Sequence, residues 1–149
     1  MKIGKEVFNK CLSLKSVTIP NGVTEIGDSA LGGCLMLSKV NLPSSLTEIG
    51  EVAFAFCSSL EDIVLPDGLR KIGFGAFCEC SSLNNVIIPD SIKDIGETAF
   101  CGCVSLHNLN IPSTVTKIGK SAFMDVKHIE YHGTVTYDDE LYWGAKAMN

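Results

Sequence analysis

The sequence has no long apolar run and no cluster of basic residues, and each absence excludes a class of protein. Hydrophobic residues make up 46% of the 149 residues, but the longest apolar runs are far shorter than the roughly 20 residues that a transmembrane helix needs. Lys and Arg number 12 against 17 Asp and Glu, which gives a formal net charge of −5. Nucleic acid and anionic membrane surfaces require a concentrated basic face. We therefore expect neither nucleic-acid binding nor membrane insertion.

The N terminus also has no apolar core of the kind that an export signal contains. The chain begins Met-Lys-Ile-Gly-Lys-Glu. Two explanations stay open at this point: the protein remains inside the cell, or the chain is a fragment whose export signal lies upstream. The sequence alone does not predict a location.

What the sequence has in abundance is a 23-residue repeat, which is the signature of a solenoid. Prolines recur at 20, 43, 66, 89 and 112, glycines at 4, 27, 50, 73, 96 and 119, and cysteines at 11, 34, 57, 80 and 103. We divide the chain into a partial unit (1–13), five full units (14–36, 37–59, 60–82, 83–105 and 106–128) and a C-terminal cap (129–149). No linker separates these units, so we predict one solenoid domain over 1–149.

Each full unit opens with the pattern Leu-x-x-Val-x-Ile/Leu-Pro, as in Leu60–Pro66. Its alternating, β-branched residues predict a short strand, and the proline, which cannot donate to a ladder, marks the end of the strand. Equivalent strands in successive units would stack about 4.8 Å apart as a parallel sheet. In this arrangement Leu60, Ile63 and Leu65 face the core, and Glu61, Asp62 and Val64 face outward.

The second half of each unit predicts a corner and a short turn. The step Ile-Gly, as in Ile72-Gly73, places an isoleucine inward and suggests a glycine that needs either positive φ or close backbone approach. The segment x-x-Ala-Phe-x-x-Cys is too short for a full helix and suits a 3₁₀ or single helical turn. Its phenylalanines form a predicted aromatic spine, with Leu31 as the one substitution: Phe8, Phe54, Phe77, Phe100 and Phe123.

The two ends of the chain depart from the repeat. Met1–Ser13 lacks the strand-forming half of a unit, so it covers only half of the apolar residues of the next unit. This end is therefore interpreted either as a truncation or as a surface that binds another molecule. At the other end Ile129 falls 23 residues after Leu106, which predicts an outward Glu130 and Tyr131. A capping-box pattern then predicts a short C-terminal cap helix over 139–147 that covers the last coil.

The units resemble the BspA-type leucine-rich repeat, whose pattern runs roughly C-x-x-L-x-x-[VI]-x-[IL]-P-x-x-[VL]-x-x-I-G-x-x-A-F. The resemblance extends from Ile3 to about Ile129. It implies a right-handed leucine-rich-repeat solenoid, mainly β, with a parallel sheet on its concave side. It also implies non-catalytic work at a cell surface, binding a protein or glycan on another cell or in the matrix.

The cysteines are better explained by packing than by metal binding. The repeated column behaves as small buried hydrophobes. Cys78 and Cys101 are additional, and they form Cys-x-Cys pairs with Cys80 and Cys103. Positions i and i+2 of a helical turn point roughly 200° apart, so four thiolates would not converge on zinc or an iron–sulfur cluster. A Cys78–Cys101 disulfide between adjacent coils is the more plausible hypothesis, because one coil spacing of about 5 Å lies within the usual Cα range.

No arrangement in the sequence favours an enzyme. The histidines at 107, 128 and 132 are not gathered by the repeat with a nucleophile and a carboxylate, and the glycines recur once per coil rather than in a phosphate-binding loop. We therefore expect no catalytic residues, no cofactor and no metal.

Specificity in a solenoid is carried by outward positions that differ between coils. Val64 and Ile87 are apolar in an otherwise polar column, which suits a small docking patch, although single exposed aliphatic residues are also normal on any surface. The predicted partner-binding residues are Glu61, Asp62, Val64, Asn84, Asn85, Ile87, His107, Asn108 and Asn110. The alternative is a structural spacer or assembly segment of a larger surface protein, with end-to-end self-association through the N-terminal coil.

Overall fold

Each full coil contributes two short parallel strands, and all but the last coil follow the predicted 23-residue step. The computed structural model describes residues 1–134, and the predicted cap helix over 139–147 lies outside them. The strands are β1 Lys2–Ile3, β2 Ser16–Thr18, β3 Glu25–Ile26, β4 Lys39–Asn41, β5 Glu48–Ile49, β6 Asp62–Val64, β7 Lys71–Ile72, β8 Asn85–Ile87, β9 Asp94–Ile95, β10 Leu109–Ile111, β11 Lys117–Ile118 and β12 Ile129–Tyr131. The predicted β-solenoid with parallel sheets is confirmed.

The continuous sheet lies at the Ile-Gly corner of each coil. Its order is β1-β3-β5-β7-β9-β11, with Ile49 in register with Ile72 and Ile72 with Ile95. We call it the corner sheet. The sequence identifies the inward isoleucines but not these strands, because two residues are too few to show the period-2 alternation by which a strand is recognised.

The strands predicted from the Leu-x-x-Val-x-Ile/Leu-Pro pattern are also present, but they pair in twos. The ladders are β2–β4, β6–β8 and β10–β12. Ile63 is in register with Val86, and both are buried. We call the outward side of these strands the strand face.

The last coil is shorter than the others. Leu109 pairs with Ile129, so this step is 20 residues rather than 23. The prediction that Tyr131 faces outward is therefore wrong: Tyr131 is 9% exposed, and its hydroxyl donates to the Val115 carbonyl at 3.0 Å. Glu130 lies beside Asn110 rather than in the column of His107.

The segment after each corner is a series of turns instead of the predicted 3₁₀ turn. In the second coil, the amides of Ala30 and Gly32 donate to carbonyls three residues earlier, whereas those of Ser29, Leu31 and Gly33 donate to the next coil at 2.7–2.8 Å. Ser29 and Gly33 have φ of 54° and 72°, which lies in the left-handed region. Every second amide is thus paired across coils, as buried backbone groups require. We call this side the turn face.

The corner glycines are required for close approach of the backbones. A Cβ on Gly96 would lie 2.5 Å from the carbonyl carbon of Gly73 and 2.6 Å from the Phe74 nitrogen, and Gly96 does not have positive φ. Of the two explanations left open by the sequence, close approach is the correct one. The positive φ angles lie further along each turn.

The predicted aromatic spine is present through the last four coils. Ring centroids lie 5.3 Å apart for Phe54–Phe77, 5.2 Å for Phe77–Phe100 and 5.8 Å for Phe100–Phe123, with nearly parallel planes. All four rings are fully buried. Leu31 separates this stack from Phe8, which is only partly buried.

The repeated cysteines line the core as predicted, and their thiols also link coils. Cys57 donates to the Leu31 carbonyl at 3.2 Å, and Cys80 to that of Phe54 at 3.1 Å. Burial raises the pKa of the Cys57 thiol to about 12 and the pKa values of Cys80 and Cys103 as well. These cysteines are therefore core packing residues whose thiols are protonated at neutral pH.

Candidate functional site

The strand face of the middle coils brings six of the predicted partner-binding residues together. Asp62 lies beside Asn85 and Val64 beside Ile87 in the β6–β8 ladder. Val64 is 81% exposed and Ile87 76% exposed, the highest values among the large exposed aliphatic residues of the described chain. We call this set the strand-face patch, consisting of Glu61, Asp62, Val64, Asn84, Asn85 and Ile87.

Val64 projects between two shallow hollows. One, of about 470 Å³, lies between Val64 and the preceding strand β4, where Lys39 and Asn41 line it. The other, of about 340 Å³, lies on the Ile87 side and extends to Asn85 and Pro89. The carboxylate residues Asp62 and Asp67 line both hollows. A partner side chain can thus contact Val64 on either flank while lying close to negative charge.

Sequence reasoning missed Asp67. It follows Pro66 and therefore lies outside the predicted strand, to which the predicted partner-binding positions were confined. The signal was present: the position after the proline also varies between coils, as Asn21, Ser44, Asp67, Asp90 and Ser113. Since a solenoid presents loop positions beside its strand positions in every coil, this column belongs with the others.

The strand face of the fourth and fifth coils carries carboxylates that form no salt bridge in the described chain, as is also true of Glu51 and Glu97 elsewhere. Glu61, Asp62, Asp67 and Asp90 are exposed, and in the described chain none of them forms a salt bridge, although other carboxylates do. On the corner sheet Glu48 binds Lys71 at 2.9 Å, Asp94 binds Lys117 at 3.3 Å, and Glu25 binds Lys2. Negative charge is therefore left uncompensated around Val64 and Ile87.

His107, Asn108 and Asn110 lie on the next coil, whose strand β10 contacts β8 without forming a hydrogen-bonded ladder with it. Strand β10 begins at Leu109 and pairs with β12 rather than with β8. Asn108 has φ of 57°, a left-handed conformation that asparagine tolerates better than most residues. His107 contacts Lys127 at 3.5 Å. The nine predicted residues thus lie on three successive coils, and apolar and acidic side chains are combined on the first two of these.

Cys78 and Cys101 are neighbours on the turn face. The Glu79 amide donates to the Cys101 carbonyl at 2.7 Å, which holds the two coils in register at this point. Both residues are half-buried thiols. Burial, and secondarily the nearby Cys101, raises the pKa of Cys78 to about 11. The disulfide hypothesis remains a prediction.

A third hollow, which is apolar and has a volume of about 460 Å³, lies on the turn face of the first three coils. Gly32 and Gly33 carry no side chains and leave a notch between Lys10 on one side and Phe56 on the other. Leu12, Leu35 and Phe56 are about half exposed there. The sequence did not predict this hollow. Two consecutive glycines in one coil are typical of a turn and do not by themselves indicate a gap between neighbouring side chains.

Within residues 1–134 the structure holds no group of three or more His, Cys, Asp and Glu side chains arranged to bind a metal ion. The same part of the chain contains no helix with the length and apolar character to cross a membrane.

The geometry agrees with what comparison with known proteins finds. The model of the BspA type leucine-rich repeat region matches residues 1–130 in 6 copies. Comparison with curated proteins found no match. Among solved structures, a T. pallidum leucine-rich repeat protein is similar, with 35% identity, a TM-score of 0.82 and coverage of 86% of this chain and 61% of the other.

Two further structures are similar over most of this chain. A leucine-rich cell surface protein from Faecalibacterium prausnitzii has 33% identity and a TM-score of 0.65, and the match covers 92% of this chain and 45% of that one. A leucine-rich repeat protein from Bacteroides ovatus has 27% identity and a TM-score of 0.56, with 90% and 38% covered. The chain thus spans less than two thirds of the length of each of these proteins. Because the family model covers nearly the whole chain, the protein belongs to the BspA-type leucine-rich repeat family.

Proposed function

We propose that this chain is a non-catalytic protein-binding module of a cell-surface protein, and that it contacts its partner through the strand-face patch. The observation that supports this most directly is the exposure of Val64 and Ile87, at 81% and 76%, side by side on adjacent strands. Water around two adjacent aliphatic side chains is released when a partner covers them, which favours association. The surrounding carboxylates and amides supply the polar rim typical of an interface.

Family membership supports the absence of catalysis, since leucine-rich repeat regions of this type are typically non-catalytic. The description of one structural neighbour as a cell surface protein supports a similar location for this chain. A binding role also agrees with the fixed core: inward columns must be the same in every coil to stack, so outward columns are where coils can differ in function.

A protein fits the strand-face patch better than a glycan does. Val64 and Ile87 offer no hydrogen-bonding groups, so sugar hydroxyls placed on them would lose hydrogen bonds to water without replacement. A protein partner can supply an apolar side chain to the same place.

The test is binding of the full chain to a panel of purified extracellular matrix proteins and to a glycan array. We expect at least one protein to bind, and the double variant Val64→Lys/Ile87→Lys to lose that binding. Because both side chains are exposed, the variant should keep the melting temperature of the parent chain. Circular dichroism with thermal melts checks that it folds.

The matched control is Phe56→Lys, which places the same charge on a half-exposed apolar residue of the turn face. It should bind as the parent chain does. Binding that survives the double variant but is lost in Phe56→Lys would overturn the proposal in favour of the turn-face hollow. Binding to glycans alone would overturn the choice of a protein partner.

A second candidate function, assembly through the N-terminal coil, rests on a separate observation. In later coils the carbonyls of the turn face accept amides from the preceding coil, as Asp28 and Ala30 accept from Glu6 and Phe8. The equivalent carbonyls of the first coil, those of Lys5 and Val7, accept no hydrogen bond within the described chain. Strand β1 is likewise an edge of the corner sheet, and open edges are sites of strand addition.

This alternative predicts concentration-dependent association. Mass measured by sedimentation over a dilution series should rise above that of the monomer, and Ile3→Lys, which places a charge at the open edge, should restore the monomer. A strict monomer at high concentration contradicts assembly and leaves the strand-face proposal untouched.

A further inference from the structure

We infer that the partner segment that docks on the strand-face patch carries an aliphatic or aromatic anchor flanked by Lys or Arg residues. This inference rests on the proposed function and adds to it the chemistry of the partner. It follows from the electrostatics of the patch, which differ from those of the corner sheet in the same coils.

Four exposed carboxylates lie on the coils of the apolar pair and form no salt bridge in the described chain, and two of them, Asp62 and Asp67, line the hollows beside Val64. Glu61 and Asp62 precede Val64 on its coil, and Asp67 and Asp90 follow Pro66 and Pro89. Elsewhere the chain neutralises carboxylates between coils: Lys5 binds Asp28 at 2.6 Å and Lys71 binds Glu48 at 2.9 Å. The strand face of the fourth and fifth coils has no such pair.

No basic side chain near the patch forms a salt bridge with these carboxylates in the described chain. Lys39 occupies the position of Asp62 one coil earlier and lines the larger hollow with it, and its ammonium group has no ion-pair partner within residues 1–134. Arg70 lies beyond the turn, immediately before strand β7. The Ile87 side has only the carboxylates and the amide of Asn85 as polar lining.

The positions of Asp62 and Asp67 fit an extended peptide with alternating character. Both line the two hollows that flank Val64, so an anchor in either hollow has carboxylates close by. Side chains of an extended segment alternate between its two faces at about 3.3 Å per residue, so residues two positions from the anchor face the same surface and can reach these carboxylates. Exposed charges placed in this way increase the association rate and select the sign of the partner.

The same charge argues against anionic partners. Sulfated glycans, acidic peptides and anionic lipid surfaces would be repelled by the four carboxylates. At physiological ionic strength the screening length is about 8 Å, so the repulsion acts over the dimensions of the patch itself.

The test uses synthetic 12-residue peptides and the full chain. Three series share a central Leu or Phe and differ only in the flanking residues, which are Lys, Ser or Glu. We expect the Lys series to bind most tightly, the Ser series more weakly and the Glu series not at all. Raising the salt concentration should weaken the Lys series and leave the Ser series nearly unchanged, because only the former loses charge attraction.

Two variants locate the effect. Asp62→Asn/Asp67→Asn should weaken the Lys series by about five-fold, as expected for two exposed charge pairs, without changing the Ser series. The control Glu51→Gln/Glu97→Gln removes the same amount of charge from two exposed carboxylates that each follow a corner glycine. It should have little effect on binding of the Lys series. Val64→Lys should abolish binding of all series.

The outcomes separate this inference from the proposed function. Equal binding of the three series, lost in Val64→Lys, overturns the basic partner and retains the strand-face patch. Tighter binding of the Lys series that persists in Val64→Lys and Asp62→Asn/Asp67→Asn overturns both. Failure of the Lys series to bind the parent chain overturns the inference.

Discussion

Replacing the corner glycine Gly96 by alanine should destabilise the solenoid severely, while the same replacement at Gly68 should not. At Gly96 the new Cβ would lie 2.5 Å from the Gly73 carbonyl carbon, in the backbone of the preceding coil. Carbon atoms prefer separations of about 3.5–4.0 Å, so the two coils must move apart by about 1 Å. Neither partner is a flexible side chain that can turn aside.

The magnitude follows from two costs. Overpacking of a close-packed interior costs about 1–3 kcal/mol. The separation also stretches the hydrogen bond from the Gly96 amide to the Ile72 carbonyl, now 2.8 Å, which is worth about 1 kcal/mol. We therefore expect Gly96→Ala to lower the free energy of unfolding by about 2–4 kcal/mol.

Gly68 is the matched control because its surroundings are open. A Cβ there would lie 3.4 Å from the Ser44 carbonyl oxygen, and the residue does not have positive φ. Ser45 and Ser91 occupy the same position in neighbouring coils, where their hydroxyls donate to carbonyls of the preceding coil at 2.7 and 2.6 Å. Gly68→Ala should therefore stabilise the chain by about 0.4–1 kcal/mol, because alanine restricts the unfolded state.

Urea unfolding followed by circular dichroism measures both variants, and the transition midpoints should move in opposite directions at similar slopes. A free energy of unfolding for Gly96→Ala within about 0.5 kcal/mol of the parent value, the range of ordinary surface substitutions, would refute the close-approach explanation. A destabilised Gly68→Ala would show that the penalty at corner positions is not specific to the coil contact.

Three further predictions concern the core and the thiols. Phe77→Ala should lower the free energy of unfolding by about 3–5 kcal/mol, since it empties the middle of the ring stack; urea unfolding measures this, and a loss below about 1 kcal/mol would contradict a close-packed spine. Stability should fall as pH rises from about 9 toward 12, because the pKa of Cys57 is about 12 in the fold against 9.0 otherwise, so only the unfolded thiol ionises in that range. The free energy of unfolding should fall by about 1.4 kcal/mol per pH unit for one such thiol. Urea unfolding at several pH values should show that it falls less steeply for Cys57→Ala than for the parent chain, and equal slopes would contradict this prediction. Glutathione disulfide should oxidise Cys78 and Cys101 to an intramolecular disulfide, with two thiol protons transferred to two released glutathione molecules. The denatured chain would then titrate five of its seven thiols, and loss of a single thiol with a gain of one glutathione mass would contradict the bridge.

The adjacency of Val64 and Ile87 was predictable because the core determines it. Once Ile63 and Val86 are placed inward at one step of the repeat, the residues that follow them must lie outward and side by side. The structure bears this out, with Val64 in register with Ile87. The same reasoning predicted the stacked rings and the buried cysteine column, since all depend only on the 23-residue step.

Where the step changes, the reasoning from period alone was wrong. Extending 23 residues from Leu106 to Ile129 placed Tyr131 outward, whereas the chain skips three residues and pairs Ile129 with Leu109. Val126, buried in the last coil, is followed after two residues by the strand, where earlier coils insert another leucine. A single coil that is three residues shorter leaves the spacing of the other repeated residues unchanged, so only the pairing of the strands reveals the shortening.

Other features depended on contacts that no sequence pattern expresses. The thiol of Cys80 donates to the Phe54 carbonyl, 26 residues away, which gives a physical reason for cysteine rather than alanine or valine at that column. Asp67 was missed because it lies past the proline, and its part in the hollows depends on how the turn folds back beside Val64. Both are consequences of stacking distance rather than of local propensity.

The distribution of charge argues that the strand face serves a partner rather than the fold. Coils that need only to stack gain from cross-coil pairs such as Glu48–Lys71, and the corner sheet uses them repeatedly. The same coils place Asp62 and Asp67 close to Val64, where neither forms a salt bridge within the described chain. Neighbouring coils show that neutral residues fit these positions, since Asn85 is in register with Asp62 and Ser44 precedes Asp67 by one unit. Stacking of the coils therefore does not require these carboxylates, which agrees with the proposed cationic partner.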